Sequence, residues 1–124
     1  IALHVSGCLQ HFVGAQLGRS GFIRDREAEF SRRGVSAAEI VADLDEAIGA
    51  VDATFAGLEE DAMNRPFPQE IAGVRPTAGE YLVHLVAHTA YHLGQIDYHR
   101  RCVTGDSSTA GVLSPRDLKS AATS

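Results

Sequence analysis

The sequence predicts an all-α fold in which antiparallel helices pack as an up-and-down bundle. Three segments repeat apolar residues every three or four positions, as helices with one buried face do. Two of these segments begin with a capping box, and three of the four prolines lie together in one connection. A chain of 124 residues is long enough for one domain and too short for two. We therefore expect a helical-bundle domain over residues 1–104 and a mobile C-terminal tail over residues 105–124.

The first predicted helix covers residues 2–17. Its apolar face extends from Val5 to Phe12, while His4 and Cys8 share the neighbouring face. Glycines at the end of the segment predict a C-terminal stop. The apolar pattern is already present at the first residue, and no capping residue precedes it. We therefore expect that residues are missing upstream.

The second and third helices each begin at a capping box. The second begins at residues 36–39 and is expected to end between residues 58 and 62. The third begins at residues 77–80 and extends to residue 103, with Gly105 as its stop. Apolar or histidine side chains occupy much of the circumference of this third helix. A fourth helix, from upstream residues or from a partner chain, would cover it better.

The connections between these helices differ in composition. Residues 18–35 are rich in arginine and glutamate, which predicts a charged loop with local ion pairs. Residues 64–76 contain three prolines and a glycine, which predicts an irregular crossover. The tail is rich in serine, threonine and alanine, with one turn expected after Pro115.

Charge and cysteine content exclude several classes of function. The formal net charge is −5 and no long basic cluster is present, so we expect no nucleic-acid partner. Apolar runs are too short to span a bilayer, so we expect no membrane insertion. Two cysteines do not make a disulfide framework, which predicts a cytoplasmic protein.

Three histidines stand four residues apart on the third predicted helix: His84, His88 and His92. Neighbours at this spacing lie on one face, close enough for two imidazoles to bind one metal ion. The outer two lie too far apart to bind the same ion, so one of the three is expected to have another role. A third ligand must come from another helix, where His4 and His11 are the candidates. Spacing alone leaves hydrogen-bonded core histidines as the alternative.

Together with His4, His88 and His92, several short stretches resemble, in their order along the chain, the DinB/YfiT-like superfamily of bacterial helical-bundle metalloproteins. The resemblance covers residues 1–104, and its most specific part is the sequence H-x-x-Y-H-x-G-Q over residues 88–95. The other matching stretches are Leu3-His4-Val5, Arg24-Asp25-Arg26 and Glu29-Phe30.

The resemblance implies a four-helix bundle with one Zn²⁺ or Ni²⁺ ion held by three histidines. Carried over residue by residue, the ligands are His4, His88 and His92, and His84 is a non-ligand. The family's first helix has no counterpart here, so we expect the bundle to be completed by upstream residues or by a partner chain.

The resemblance also implies a catalytic role, although it assigns no catalytic residue. Characterised relatives are similar to S-transferases that use a low-molecular-weight thiol such as bacillithiol, mycothiol or glutathione. We therefore expect a metal-dependent thiol S-transferase with a small-molecule substrate, acting as a homodimer. The alternatives are a metal-dependent hydrolase and a non-catalytic bundle in which the ion is a structural staple.

Two further residues are candidate cofactor-binding groups. Gln95 lies three residues after His92 and would support that ligand or bond the substrate; a polar helix-interface residue is the alternative. Cys8 lies one turn from His4, within reach of the metal or the pocket. For Cys8 we favour the alternative of a small buried residue. For Arg24 we favour local ion pairing over contact with a carboxylate-bearing thiol.

Overall fold

The computed structural model describes residues 1–111, Ser114 and Arg116. The described residues confirm an all-α helical bundle, since they form helices and only isolated β-bridges. In chain order the helices are α1 (Ala2–Cys8), a π-helical segment (Leu9–Leu17), α2 (Arg26–Ser31), α3 (Ala37–Gly57), a 3₁₀ turn (Glu60–Asn64) and α4 (Ala78–Thr104). Among the described residues, no helix is both long enough and apolar enough to cross a bilayer.

The first predicted helix is helical throughout, but it changes type after α1. The backbone N–H of Gly18 donates to the carbonyl of Val13, five residues earlier, at 2.9 Å. Such a bond is the mark of the wider π-helix. The apolar spacing of this segment does not distinguish an α-helix from a π-helix, so the sequence predicted only one helix here.

Helix α2 corrects the prediction of a loop over residues 18–35. Its six residues begin at Arg26 and follow Asp25, whose carboxylate accepts the backbone N–H of Ala28 at 2.9 Å. This contact is a standard N-cap. A helix of this length is too short to show an apolar period, so only the capping residue signalled it.

Helices α3 and α4 begin where their capping boxes predict. The hydroxyl of Ser36 accepts from Glu39 N, and the hydroxyl of Thr77 accepts from Glu80 N; both glutamates bond back to the cap. Helix α4 ends at Gly105, whose φ of 71° is in the left-handed region that glycine adopts without strain.

The buried core lies between the π-helical segment, the crossover and the start of α4. Phe67 of the crossover is fully buried against Tyr81 and Leu85 of α4 and Val13 of the π-helical segment. Its backbone N–H donates to the carbonyl of Pro76 at 2.8 Å, which ties the two ends of the crossover together. This core holds the middle of the π-helical segment against α4 and thereby sets the distance between α1 and α4.

An apolar groove runs between α3 and α4, with the π-helical segment as its floor. Its volume is about 890 Å³ and most of its lining is aliphatic. Val86 on one wall is 71% exposed and Ile48 on the other is 57% exposed. Both the homodimer and the fourth helix expected from the sequence remain predictions.

The described start of the tail lies against α4. Asp97 accepts from Ala110 N at 3.0 Å and from the Thr109 hydroxyl at 2.8 Å, and Arg100 pairs with Asp106 at 2.8 Å. The bonds from Ala110, Thr109 and Arg100 lower the pKa of Asp97 to about 2. The turn predicted after Pro115 lies outside the described residues.

Candidate metal centre

Imidazoles from α1 and α4 meet at one end of the bundle. His88 Nε2 lies 3.4 Å from His4 Nε2 and 3.1 Å from His92 Nε2. The ring of His4 is centred 5.0 Å from that of His92. Nitrogens bound tetrahedrally to one zinc ion stand about 3.3 Å apart, given the usual Zn–N length of about 2.0–2.1 Å. The spacing around His88 therefore fits nitrogens that share a cation.

Two of these rings are oriented by hydrogen bonds at Nδ1, the ring nitrogen that does not face His88. His4 Nδ1 lies 2.9 Å from Glu29 Oε2, and His92 Nδ1 lies 2.7 Å from Gln95 Oε1. A carboxylate or amide oxygen only accepts, so each Nδ1 carries the hydrogen. The neutral rings consequently present the lone pair of Nε2 towards His88, as metal-binding histidines do.

A buried ion pair holds Glu29 in place. Arg24 donates to both carboxylate oxygens, with Nε to Oε1 at 2.6 Å and Nη2 to Oε2 at 2.7 Å. Burial alone would raise the pKa of Glu29, but hydrogen bonds from Arg24 and His4 outweigh it and hold the pKa below its usual value. Arg24 Nη2 also lies 3.2 Å from His4 Nδ1, but two donors make no hydrogen bond.

Cys8 belongs to the same cluster. Ligand atoms of His4, Cys8 and His88 all lie within 4.8 Å of one another. Cys8 is 4% exposed, and Arg24 Nη2 donates to its sulfur at 3.1 Å. Burial raises the pKa of the Cys8 thiol, against a lowering effect of Arg24.

Two candidate ligand triads therefore share His4 and His88. One adds Cys8, and its ligand atoms all lie within 4.8 Å of one another; the other adds His92, as the sequence resemblance implies, which adjoins His88 at 3.1 Å but is not part of that mutually close group. Burial lowers the pKa of His88, and the neighbouring imidazoles of His92 and His4 lower it further. The assignment of His4, His88 and His92 as the ligands stays a prediction, as do the roles of Cys8 and Gln95.

His84 and His11 do not belong to the group of candidate ligands, although His84 lines the same cavity. His84 stacks on Tyr81 with ring centroids 5.5 Å apart, and its ring is 6.1 Å from that of His88. His11 Nε2 bonds Gln69 Oε1 at 2.8 Å, away from α4. His11 is thus not placed as the third ligand, and the structure favours His4 of the two sequence candidates.

Sequence reasoning missed the role of Glu29. Residues 18–35 were expected to form local ion pairs, and the pairing of Arg24 with Glu29 agrees with that expectation. The bond to His4 spans 25 residues and was not expected. It depends on α2 packing against α1, and the only advance signal was the presence of Glu29-Phe30 in the resemblance.

A small cavity of about 170 Å³ opens beside the imidazoles. The cluster residues His4, Cys8 and His88 form one side of it, and Arg24 and Arg26 lie on its wall. The Arg26 guanidinium sits over the ring of Phe30, 5.6 Å from its centroid. Arg24 is balanced by Glu29, so Arg26 is the cation on the cavity wall without an ion pair among the described residues, and it suits an anionic group of a ligand.

The fold and the site define a helical-bundle protein with a candidate histidine and cysteine metal centre. The sequence profile of the DinB superfamily matches residues 2–96, and the chain belongs to that superfamily. No curated protein sequence and no solved structure matches the chain significantly.

Proposed function

We propose that this chain is a divalent-metal-dependent enzyme that transfers a low-molecular-weight thiol to a small electrophile. The observation that carries the proposal is the meeting of imidazoles from α1 and α4 beside a cavity with two arginines on its wall. Membership of the DinB superfamily supports it, because thiol transfer is the activity that the resemblance implies.

The residues that would hold the ion are His4, His88 and His92, with Cys8 next to them. Neutral imidazoles suit both zinc and nickel, so either metal agrees with this donor set. When bound, such an ion would supply Lewis acidity, which lowers the pKa of a coordinated thiol and keeps it as the nucleophilic thiolate.

The protein's own side chains orient the site and give it charge. Glu29 and Gln95 hold the rings of His4 and His92 with Nε2 directed inward. Arg24 is already paired with Glu29, whereas Arg26 makes no ion pair with any described residue. Arg26 is therefore the cation that would meet a carboxylate of the incoming thiol.

A metal-dependent hydrolase is the second candidate. The observation that favours it is His84, whose imidazole lines the same cavity one turn from His88. A histidine at this position could act as a general base towards water. Glu29 is not available as this general base. Its carboxylate oxygens already accept hydrogen bonds from Arg24 and His4, and its lowered pKa makes it a weak proton acceptor.

The test compares thiol transfer with hydrolysis on purified protein loaded with Zn²⁺ or Ni²⁺. Glutathione, mycothiol, bacillithiol and cysteine are each offered with a fluorogenic electrophile, and ester hydrolysis is measured in parallel. We expect thiol-dependent turnover that is lost in His88→Ala and kept in the matched control His99→Ala. Metal-loaded protein that neither turns over nor binds any of these thiols would contradict the proposal, and ester hydrolysis without thiol would favour the second candidate.

A further inference from the structure

Cys8 has polar surroundings that a merely space-filling cysteine does not need. Its sulfur lies 3.6 Å from His4 Nε2, the nitrogen that also faces His88, and 3.1 Å from the Arg24 guanidinium. A buried cysteine that only fills space behaves as a small apolar group and packs well against other apolar groups. The sulfur of Cys8 instead lies among nitrogen atoms, beside the position that a cation shared with His4 and His88 would occupy.

We propose that Cys8 is itself a protein ligand of the metal, so that the donor set is mixed imidazole and thiolate. This inference rests on the metal site of the proposed function and adds to it a ligand that the resemblance does not assign. His4 and Cys8 stand one helical turn apart on α1, just as His88 and His92 do on α4. Among the described residues, the ligand atoms of His4, Cys8 and His88 converge within 4.8 Å of one another, and His92 Nε2, 3.1 Å from His88 Nε2, is the fourth donor that a tetrahedral site would take.

The charges around Cys8 suit a thiolate bound to a cation. Arg24 donates to the sulfur at 3.1 Å, so a thiolate bound to a cation would keep a hydrogen-bond partner there. The charge of Arg24 is already balanced by Glu29, so a divalent ion would otherwise stay uncompensated in a largely buried site. On metal binding the Sγ–H proton leaves to solvent as the sulfur–metal bond forms, and no oxidant or reductant is needed.

Ligation by Cys8 has a consequence for the proposed reaction. A site with four protein ligands has no open position, whereas a site with three leaves one for an incoming molecule. A substrate thiol would therefore compete with the Cys8 sulfur for one position. Thiolate also favours softer metals, so a cysteine ligand tilts the choice between zinc and nickel towards zinc.

The test is the absorption spectrum of the Co²⁺-loaded full chain. Cobalt shows visible d–d bands in a low-symmetry protein site, and an intense near-ultraviolet charge-transfer band only when sulfur is bound. We expect both sets of bands in the parent protein. Cys8→Ser should lose the charge-transfer band and keep d–d bands, while the matched control Cys102→Ser, whose cysteine is exposed near the end of α4, should keep both.

The outcomes separate this inference from the proposed function. Visible d–d bands in the parent protein without a charge-transfer band would overturn ligation by Cys8 and leave the histidine site standing. A charge-transfer band that survives in Cys8→Ser but vanishes in Cys102→Ser would also overturn it. No cobalt-dependent absorption at all would overturn both. The parent spectrum decides the first and third outcomes even if a variant fails to fold.

Discussion

At the scale of single residues, Glu29 connects the structural and the chemical parts of the molecule. It is the only acidic group bonded to a candidate ligand among the described residues, and Arg24 holds it from the other side. The close approach of α2 to α1 needs Gly7, because a Cβ at that position would overlap the Glu29 carboxylate. Removing the charge of Glu29 should therefore disturb the orientation of His4 without changing Nε2, the atom that would bind the metal.

Glu29→Gln should weaken Zn²⁺ binding by about 10–100-fold, the usual cost of losing an outer partner of a metal-binding histidine. The glutamine side chain has nearly the same shape but no longer compels His4 Nδ1 to carry the hydrogen. Competition with a chromophoric chelator measures the affinity. The control is Glu27→Gln, which alters an exposed glutamate of the same helix and should leave the affinity unchanged. Equal affinities for the two variants would contradict this account of Glu29.

The depressed pKa of Glu29 predicts a dependence of stability on pH in the metal-free protein. A carboxylate whose folded pKa lies below its unfolded value of 4.5 stabilises the native state above that value. This contribution is lost as the pH falls through the folded pKa. Urea unfolding of the parent chain and Glu29→Gln should differ at about pH 7, and the difference should shrink as the pH falls through the folded pKa, below 4.5. A difference that grows on acidification would show that the sign is wrong.

At the scale of helices, the glycines of the π-helical segment allow close packing on α3. A Cβ on Gly14 would lie 3.1 Å from the Ala50 side chain, and a Cβ on Gly18 would overlap the Thr54 hydroxyl. That hydroxyl is itself bonded to the Ala50 carbonyl at 2.7 Å, so it does not give way freely. The position of α1 and its histidine thus depends on a helix contact made about three turns further along the chain than His4.

Gly18→Ala should lower the free energy of unfolding by about 1–3 kcal/mol, the typical cost of overpacking. The matched control is Gly49→Ala in α3, where a Cβ meets no atom within 4 Å. There the change should raise stability by up to about 1 kcal/mol, because alanine favours a helix more than glycine does. Chemical unfolding of both variants measures the difference. Equal effects of the two substitutions would contradict the close packing at Gly18.

The extent to which these elements follow from sequence differs with their length and their local chemistry. Capping boxes located the starts of α3 and α4, since a cap is a contact within four residues. Helix α2 escaped prediction because six residues show no period. Helical spacing predicted that His88 and His92 lie together, and the family resemblance added His4 to that pair. The contacts of Glu29 with His4 and of Cys8 with His88 are non-local, and no spacing along the chain encodes them.

At the scale of the whole molecule, the bundle has one well-packed side and one apolar groove. The candidate metal centre lies where α1 meets α4, while α3 and α4 flank the groove. Apolar surface of this kind commonly marks an interaction site in soluble proteins. The homodimer expected from the sequence would bury part of it.

Light scattering should accordingly give a mass of twice the 13.2 kDa of the chain. Val86→Glu places a charge in the groove and should shift the protein towards the monomer. The control Val41→Glu alters an exposed valine of α3 that does not line the groove, and should leave the mass unchanged. A monomeric parent protein would contradict the predicted dimer without affecting the metal centre.

The central claim is that histidines from two helices share one divalent cation. Elemental analysis of the purified protein after dialysis tests it most directly, with the parent chain compared with His4→Ala, His88→Ala and the control His99→Ala. We predict one zinc or nickel ion per chain in the parent and in His99→Ala, and almost none in the two site variants. Full metal content in either His4→Ala or His88→Ala, with the fold preserved by circular dichroism, would contradict the claim.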